Sequence, residues 1–457
     1  MAGLIDQLSA ALEPAALCQG DAVPDARRSD WSGEAGPRPS VWLRPSTTEQ
    51  VSAILTLCHT AGQPVAVQGG LSGLCGGATP GEREWILSLD RLIGVETLDP
   101  EAMTVTVKAG TPLQTVQEAA DAAGLMFPLD LGARGSCQIG GAIATNAGGN
   151  RVIRYGMTRD LVLGLEAVLP DGRVISQMTP FVKNNTGYDL KQLFVGSEGT
   201  LGIVTRAVLR LAPPPRHPLS AFCAFDSFDG LKAFLGRARR ALDSDLLAFE
   251  ALWQDYYRLA VTHAPTAKTI LPVDFSHYAL IEAAGPGSDD DHPLHGLLEQ
   301  AFEDGLLADA AVARSAQDAA DFWAVREAVG DLGPVLSPFV PFDVSLALGD
   351  TQAFIDRVRS RLAERAPRTT ACFFGHLGDG NIHIFVSLDE RTDAKTIDDL
   401  VYAEVAAFGG AISAEHGIGT HKKPYLHHSR SPAELDLMRT LKGAVDPKGL
   451  LNPGRVI

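Results

Sequence analysis

The sequence predicts an α+β fold of two or three domains, and three observations lead to this prediction. The chain has 457 residues, which is too long for one ordinary hydrophobic core. Short β-prone runs alternate with helical segments over residues 42–212, and a Pro-rich linker, PPPRHP, follows at 213–218. The apolar fraction of 45% and the charged fraction of 21% are typical of a folded soluble protein.

Four segments are expected along the chain: a helical N-terminal segment at 1–38, a first domain at 39–214, a second α+β domain at 215–411, and a helical C-terminal segment at 412–457. In the first domain, PVAVQ, WILSLDRL and MTVTVKAG predict strands. The run TPLQTVQEAADAAGL predicts a helix that begins at Thr111, has Pro112 next to its start and is closed by Gly124.

The second domain and the tail carry further periodic patterns. Helices are predicted at DGLKAFLGRARRAL and HGLLEQAFEDGLL, and a strand is predicted at HYALIEAA. The run GSDDDHP, at 287–293, is expected to be a solvated loop. In the tail, SPAE at 431–434 matches a capping box with Pro at the first helical position, so LDLMRTLKGAV is predicted to be a final helix.

Charge and cysteine content argue against several classes of protein. Lys+Arg 39 against Asp+Glu 55 gives a net charge of −16, which disfavours nucleic acid and anionic membranes as partners. The N-terminal run MAGLIDQLSAALEPAAL does not resemble a signal peptide, and no apolar stretch is long enough to predict a membrane span. The six cysteines are scattered without a C-x-x-C pair, which predicts free thiols in a reducing cytoplasm and no iron–sulfur cluster.

Two Gly-rich loops could hold an anion. They are QGGLSGLCGG at 68–77 and SCQIGGAIATNAGGN at 136–150, and consecutive glycines let backbone N–H groups converge on a phosphate. Neither loop shows the G-x-G-x-x-G pattern with a later acidic residue, so a Rossmann-type NAD site is not expected. One such loop alone would more simply be a tight turn. Two in one domain, together with FVGSEGTLGIVT at 194–205, favour a cofactor with a diphosphate.

The stretch FFGHLGDGNIHIFV, at 373–386, predicts a strand, a tight Gly-Asp-Gly turn and a second strand. Because side chains alternate along a strand, His383 should share a face with Phe385. His376 and His383 could each be a core histidine satisfied by backbone groups. Together with Glu415, in the Gly-bounded run SAEHGIG, they would instead make a three-ligand site with an open position, which suits a catalytic divalent metal.

Long stretches of the chain resemble one flavoprotein family. GGAIATNAGGNRVIRYGMTRDLVLGLEAVLPDG and NNTGYDLKQLFVGSEGTLGIVT resemble the FAD domain of the vanillyl-alcohol oxidase-like, or PCMH-type, flavoproteins. GHLGDGNIH and SAEHGIG look like the D-2-hydroxy-acid dehydrogenases of this family, especially the D-2-hydroxyglutarate dehydrogenase branch, with D-lactate dehydrogenase and glycolate oxidase as relatives. The resemblance implies a two-subdomain FAD-binding domain, an FAD-linked oxidase C-terminal domain and a C-terminal helical segment that returns to the flavin.

The resemblance also implies which residues bind FAD. They lie in the two Gly-rich loops, in the FVGSEGTLGIVT motif and in the tail, and they are Gly69, Gly70, Ser72, Gly73, Ser136, Gly140, Gly141, Thr145, Asn146, Gly149, Glu198, Gly202, Ile203 and Asn452. Members with covalent flavin often carry a His where this chain has Leu71, so non-covalent FAD is expected. Cys137 lies in the right loop to form a thioether, but a buried free thiol is the favoured interpretation.

The metal site and the reaction follow from the same resemblance. The residues that match the metal ligands, the base and the carboxylate-binding Arg are, in that order, His376, His383 and Glu415, then His416, then Arg326. The metal, expected to be Zn²⁺, would lower the pKa of the substrate hydroxyl, the base would take its proton and flavin N5 would accept the hydride. Arg326 could alternatively be a helix-surface residue paired with Glu327 or Asp331.

These features predict an FAD- and divalent-metal-dependent dehydrogenase that oxidises a D-2-hydroxy acid of the 2-hydroxyglutarate or lactate type to the 2-oxo acid. Two alternatives stay open: a redox-neutral transferase of the alkylglycerone-phosphate synthase type, and a non-catalytic flavin-binding subunit of a larger complex. The expected electron acceptor is electron-transfer flavoprotein or a quinone. The chain could form a homodimer.

The expected substrate pocket departs from the D-2-hydroxyglutarate branch at three positions. Where that branch is expected to carry Thr, Lys and Asn, this chain has Gly330, Pro341 and Phe385. Phe385 should project toward the substrate beside the metal, so a small or apolar tail is expected on the substrate, as in D-lactate or a longer monocarboxylate. Arg314 or Lys422 could replace the missing Lys.

Overall fold

The computed structural model describes residues 2–286 and 291–457, which divide into two compact units. Unit 1 comprises Met1–Gly148, Tyr155–Pro214 and Glu415–Ile457, and unit 2 comprises Gly149–Arg154 and Pro215–Ala414. The solvated loop expected at 287–293 lies mostly outside the described residues. Among the helices of the described residues, none is both long enough and apolar enough to cross a membrane.

The chain begins with two sheets that belong to unit 1. The strands are β1 (Leu17–Gln19), β2 (Val41–Leu43), β3 (Val65–Gln68), β4 (Trp85–Ser88), β5 (Val95–Asp99), β6 (Thr104–Lys108), β7 (Val162–Val168), β8 (Val174–Gln177) and β9 (Ile203–Arg210). The helices along this stretch are α1 (Ala2–Ala11), α2 (Thr48–Ala61), α3 (Leu113–Ala122), α4 (Ile139–Thr145), α5 (Val152–Tyr155) and α6 (Thr158–Leu161). The strand orders are β1-β2-β4-β3, in which β2, β4 and β3 run parallel, and β5-β6-β9-β7-β8, which is antiparallel throughout.

The three strands and the helix predicted from periodic patterns in this unit are confirmed, with one shift at the helix start. The three predicted strands are β3, β4 and β6, and apolar residues of both sheets pack with α1, α2, α3 and α4 into one core. Helix α3 begins at Leu113, with Pro112 as its N-cap, rather than at Thr111. The hydroxyl of Thr111 does not cap the helix because it accepts from Gly94 N at 3.0 Å and donates to Gly94 O at 3.2 Å.

Unit 2 is built on a seven-stranded antiparallel sheet. Its strands are β10 (Leu219–Phe225), β11 (Leu246–Trp253), β12 (His277–Ala283), β13 (Asp309–Val312), β14 (Phe339–Ser345), β15 (Ala371–Gly375) and β16 (Asn381–Ser387), in the order β13-β10-β12-β11-β15-β16-β14. The helices are α7 (Phe228–Leu242), α8 (Gln254–His263), α9 (Pro293–Glu303), α10 (Ala316–Glu327), α11 (Gly333–Leu336), α12 (Thr351–Arg365) and α13 (Ala394–Ala407). The predicted helices α7 and α9 and the predicted strand β12 are confirmed.

The tail belongs to unit 1 and contains the predicted final helix, α14 (Pro432–Val445). The expected capping box is present, since the Ser431 hydroxyl accepts from Glu434 N at 3.3 Å and the Glu434 carboxylate accepts from Ser431 N at 2.8 Å. After the helix, Leu451 forms a parallel bridge with Val65 at the start of β3. The end of the chain is therefore fixed beside the strand that leads into the first Gly-rich loop.

Candidate active site

The hairpin of β15 and β16 presents His376 and His383 as the sequence predicts. The turn is tight, because a Cβ on Gly375 would lie 2.3 Å from the carbonyl oxygen of Asn381. The ring of Phe374 lies 5.1 Å from the ring of His383 and 5.7 Å from that of Phe385, so the two residues of β16 share a face. His376 follows β15 directly, and its ring centroid is 5.3 Å from that of His383.

A buried carboxylate joins the predicted metal ligand His376 to the predicted substrate arginine. In β11, Glu250 accepts from Nε of Arg326 at 2.6 Å and bonds to Nδ1 of His376 at 2.7 Å. Nη2 of Arg326 also lies 3.2 Å from Nε2 of His376. Burial by itself raises the pKa of Glu250, but attraction to His376 and Arg326 outweighs it and lowers the pKa to about 2. Glu250 is therefore an anion that holds both side chains.

This arrangement corrects one alternative left by the sequence. Arg326 is not a surface residue paired with Glu327 or Asp331, because it is 7% exposed and bonds to Glu250. The carboxylate of Asp331 instead accepts from the hydroxyl of Thr266 at 3.2 Å. Glu250 was not among the residues predicted from the sequence, although it is the single charged residue in the apolar strand LLAFEALW.

A second buried acid, Asp343, lies opposite His383 on the neighbouring strand β14. The two side chains can offer ligand atoms within 4.8 Å of each other. The Oδ2 atom of Asp343 also accepts from the hydroxyl of Ser413 and from the backbone N–H of Ala414, each at 3.2 Å. An imidazole beside a carboxylate is a donor set that suits divalent metals. Asp343 was not among the ligands predicted from the sequence.

The predicted ligand Glu415 and the predicted base His416 open the last segment of unit 1. The Oε1 atom of Glu415 and the Nε2 atom of His416 are 4.0 Å apart. Both side chains are partly accessible, at 13% and 21% of their full exposure. This second pair again combines a carboxylate with an imidazole, so each unit contains its own pair of potential metal ligands.

The loop after His416 is fixed by Glu198, a residue predicted to border the cofactor. Its two carboxylate oxygens accept from the backbone N–H groups of Ile418 and Gly419 at 2.7 and 2.8 Å. Burial raises the pKa of Glu198. The side chain of Asn452 accepts from the backbone of β3 at 2.7 Å and donates to the carbonyl of Glu198 at 2.7 Å. These two side chains thus connect the SAEHGIG run, the tail and β3 within unit 1.

The two Gly-rich runs lie against each other, but the prediction of a loop over 136–150 is wrong in part, because Ile139–Thr145 forms helix α4. A Cβ on Gly70 would lie 1.8 Å from the carbonyl oxygen of Ser136, and a Cβ on Gly69 would lie 3.4 Å from Oε1 of Gln138. A Cβ on Gly141 would instead meet nothing within 4 Å. The two runs are therefore closely packed where they touch, and α4 is open at Gly141, which suits the approach of a cofactor to the backbone.

Gln138 supports the same interpretation. Its Oε1 atom is buried and has no hydrogen-bond partner within the part of the chain that the structure describes. A buried acceptor is normally satisfied, and a hydroxyl or N–H group of a bound cofactor would supply the donor. The paired loops therefore fit FAD. Gln138 was missed by the sequence analysis although it lies inside the SCQIGG run.

Other predicted cofactor residues have side chains that serve the fold of unit 1. Oδ1 of Asn146 accepts from Arg159 N at 2.9 Å, and Ile203 is 1% exposed in the core. A Cβ on Gly202 would come within 2.7 Å of the ring of Phe194. A cofactor would meet these residues through their backbone. Of the rest, the accessible or partly accessible residues are Ser72, Gly73 and Thr145, and the buried ones are Gly140 and Gly149.

The predicted substrate pocket has an aromatic wall. The ring of Phe385 stacks on that of Phe339 at 4.9 Å, and Phe385 pairs with Pro341 across the strands. Gly330 lies in a 3₁₀ helix, Ala328–Leu332, and a Cβ there would meet nothing within 4 Å. The surroundings of Phe385 are therefore apolar, while position 330 has room for a side chain.

Comparison with known protein families shows to which family the chain belongs. Residues 214–456 match the family model described as FAD linked oxidases, C-terminal domain, and residues 39–177 match the one described as FAD binding domain. This chain belongs to the family of FAD-linked oxidases. The PCMH-type flavoprotein fold expected from the sequence is confirmed, and the N-terminal part of this FAD-linked oxidase is an FAD-binding domain.

Two relatives are similar to this chain over most of its length. The probable mitochondrial D-2-hydroxyglutarate dehydrogenase of Oryza sativa subsp. japonica is 38% identical over 433 residues, 94% of this chain and 77% of the relative. A putative mitochondrial D-lactate dehydrogenase of Schizosaccharomyces pombe is 34% identical over 469 residues, 99% of this chain and 87% of the relative.

Two solved structures share the fold of this FAD-linked oxidase. The structure of p-cresol methylhydroxylase with substrate bound aligns with a TM-score of 0.78 at 16% identity, over 100% of this chain and 96% of the other. An alkyldihydroxyacetonephosphate synthase aligns with a TM-score of 0.76 at 17% identity, over 99% and 84%. At such identities the likeness concerns the fold alone, so the relatives of higher identity favour the dehydrogenase over the transferase alternative.

Proposed function

We propose that this protein is an FAD- and divalent-metal-dependent dehydrogenase that oxidises a D-2-hydroxy acid to the 2-oxo acid. The observation that carries the proposal is the contact of Arg326 and His376 with one buried carboxylate, on the sheet that also bears His383. It supports the proposal because Arg326, proposed to bind the substrate carboxylate, and His376, proposed to bind the metal, share one partner in unit 2. The names of the relatives, D-2-hydroxyglutarate and D-lactate dehydrogenases, support the same reaction class.

We infer that His376, His383 and Glu415 hold one divalent ion, most simply Zn²⁺, with Asp343 as a further candidate ligand. Chain continuity supports this inference, because Ser413 and Ala414 bond to Asp343 and directly precede Glu415. Imidazole and carboxylate donors suit Zn²⁺, and Mn²⁺ or Co²⁺ could substitute for it.

In the proposed reaction each side chain has one task. Arg326 binds the C1 carboxylate of the substrate, since its planar guanidinium matches two oxygens. His416 accepts the proton of the C2 hydroxyl as that group becomes the carbonyl. When bound, the metal lowers the pKa of this hydroxyl and the flavin supplies the acceptor for the hydride that leaves C2. The two electrons and one proton thus leave with the hydride and the second proton leaves on the imidazole.

Turnover with an artificial electron acceptor tests the proposal. The enzyme should oxidise D- but not L-2-hydroxy acids, lose this activity to a chelator and regain it on addition of Zn²⁺, Mn²⁺ or Co²⁺. A transferase of the alkylglycerone-phosphate synthase type would show no net oxidation of any hydroxy acid. A non-catalytic flavin-binding subunit would bind FAD and show no turnover at all.

For the substrate, we propose a D-2-hydroxy acid with a small or apolar tail. The apolar surroundings of Phe385 support this choice, because a second carboxylate buried there would lack a partner. D-Lactate and longer monocarboxylates fit this requirement better than D-2-hydroxyglutarate.

Reduced flavin is proposed to pass its electrons to electron-transfer flavoprotein or a quinone rather than to NAD⁺ or NADP⁺, since the sequence lacks a dinucleotide fingerprint. A cytoplasmic location is proposed because all six cysteines are free thiols. A homodimer is the proposed assembly to test first.

A further inference from the structure

Glu250 lies in the middle of a fully buried strand. It is 1% exposed in β11, where it pairs with Leu280 of β12, and the next residue, Ala251, pairs with Gly375 of β15. Strands on both sides therefore fix its backbone. A carboxylate at such a position requires partners, because an unpaired buried charge is strongly unfavourable.

The two partners of Glu250 are His376, which is proposed to bind the metal, and Arg326, which is proposed to bind the substrate carboxylate. One oxygen bonds to Nδ1 of His376 at 2.7 Å and the other accepts from Nε of Arg326 at 2.6 Å. A carboxylate oxygen accepts hydrogen bonds, so the contact at 2.7 Å assigns the proton of a neutral His376 ring to Nδ1 and leaves the lone pair on Nε2. The carboxylate thus selects the nitrogen that His376 can offer to a metal.

The same carboxylate orients Arg326. Glu250 accepts from Nε, and the two terminal nitrogens are the pair that would bind a substrate carboxylate in bidentate fashion. The backbone carbonyl of Arg326 is held as well, since it accepts from the hydroxyl of Tyr256 at 2.7 Å. The guanidinium also lies over the ring of Phe374, 5.1 Å from its centroid.

We propose that Glu250 is a positioning residue for both substrate recognition and metal binding. It sets the tautomer of His376 and the orientation of Arg326 with its two oxygens, an inference that rests on the proposed roles of these two residues. A purely structural explanation is weaker, because buried ion pairs contribute little net stability compared with apolar residues of the same size.

The contact between His376 and Arg326 couples metal binding to substrate binding. Nε2 of His376 lies 3.2 Å from Nη2 of Arg326, and its lone pair can serve only one partner at a time. When Nε2 serves a divalent ion, Nη2 of Arg326 must turn to another acceptor. The carboxylate of the substrate is the acceptor that the proposed function supplies.

The test compares three variants of the FAD-loaded enzyme. Glu250→Gln keeps the size of the side chain but has one acceptor oxygen, so it can serve His376 or Arg326 and not both. Glu250→Asp keeps both carboxylate oxygens and the negative charge on a shorter side chain. Glu404→Gln is the matched control, because Glu404 is another buried glutamate of unit 2, 6% exposed, whose partners are Arg357 and Arg361.

Two quantities are measured besides turnover: the affinity for Zn²⁺ by competition with a chromogenic chelator, and the tautomer of His376 by NMR of ¹⁵N-histidine-labelled protein. Glu250→Gln should lose about 10–100-fold in Zn²⁺ affinity, the usual effect of removing such an outer partner. KM should rise more than kcat falls, and the Nδ1–H signature of His376 should weaken. Glu250→Asp should recover part of these losses, and Glu404→Gln should match the wild type.

The inference is overturned if Glu250→Gln matches Glu404→Gln in Zn²⁺ affinity, in KM and in the tautomer of His376. Should Glu250→Gln fail to fold, Glu250→Asp decides, and unchanged Zn²⁺ affinity and KM in that variant overturn the inference. A wild-type enzyme that oxidises no hydroxy acid would contradict the proposed function, whereas a loss of Zn²⁺ affinity in Glu250→Gln would still support the positioning role.

Discussion

Replacing Phe385 with Asn should move the substrate preference from apolar monocarboxylates toward dicarboxylates. Phe385 stacks on Phe339 at 4.9 Å, meets the edge of Phe374 at 5.7 Å and pairs with Pro341 across the strands. None of these three neighbours carries a side-chain hydrogen-bond donor. An Asn at this position would place a hydrogen-bond donor beside the substrate tail, where the aromatic side chains of the wild type offer none.

The size of the effect follows from these surroundings. A distal carboxylate buried against the aromatic wall lacks a partner, which costs roughly several kcal/mol. An apolar tail instead gains about 1–3 kcal/mol for each methylene or two that it buries in a close-fitting pocket. Since about 1.4 kcal/mol is a factor of ten, the wild type should prefer D-2-hydroxyisocaproate over D-2-hydroxyglutarate by at least about 100-fold in kcat/KM. Phe385→Asn should narrow this ratio by about tenfold or more.

The assay is kcat/KM for D-lactate, D-2-hydroxybutyrate, D-2-hydroxyisocaproate, D-malate and D-2-hydroxyglutarate. Phe302→Asn is the control, because Phe302 is 60% exposed, and its preference should equal that of the wild type. A wild-type enzyme that prefers D-malate or D-2-hydroxyglutarate would refute the reasoning. The relatives named D-2-hydroxyglutarate dehydrogenase predict this opposite preference. Arg314→Ala would then test whether this exposed residue supplies the cation.

Four further predictions concern the metal ligands, the base, the flavin and the pH dependence of stability. His376→Ala and His383→Ala should lose bound metal and turnover but keep FAD, and full turnover of either variant after chelation would contradict the proposed ligands. His416→Ala should keep the metal and lose about 10²–10⁴-fold in kcat, as expected for a positioned base. Acid precipitation should release all the flavin, because Cys137, the candidate for a covalent bond, is buried and burial raises the pKa of its thiol to about 11. Yellow colour on the pellet would be the contrary result. Burial lowers the pKa of His277 below its usual 6.5, so the folded state keeps this ring neutral while the unfolded chain takes up a proton as the pH falls. The free energy of unfolding should drop as the pH falls below about 6.5, the ordinary pKa that the ring has in the unfolded chain, and His277→Gln should reduce that drop in urea titrations, whereas an equal drop in both proteins would exclude this role.

The strand, turn and strand around the two histidines could be predicted because their signals are local. The alternation of side chains and the Gly-Asp-Gly turn fix which residues share a face, and the contacts of Phe374 with His383 and Phe385 confirm that prediction. The start of α3 was off by two residues because the Thr111 side chain bonds to Gly94, a contact between segments that no local pattern contains.

Glu250 and Asp343 were missed for the same physical reason. Each is a single acid in an apolar strand, and its role depends on partners that are distant in the chain, as for Glu250 and His376. Sheet order cannot be worked out from the strands alone, so neither pairing was visible in the sequence. A charged residue within an otherwise buried strand was nevertheless a usable signal, because burial of an acid requires a partner.

The central claim is most directly tested by anaerobic reduction of the bound flavin. The purified, Zn²⁺-loaded enzyme is mixed with D-lactate, D-2-hydroxyisocaproate, D-2-hydroxyglutarate or the L-enantiomers, and the flavin absorbance and the 2-oxo acid are measured together. The proposed function predicts loss of the oxidised flavin spectrum with a D-acid, one 2-oxo acid formed per flavin, and no reaction with the L-acids or after removal of the metal. A flavin that stays oxidised with every D-acid, in enzyme shown to hold both FAD and metal, would contradict it.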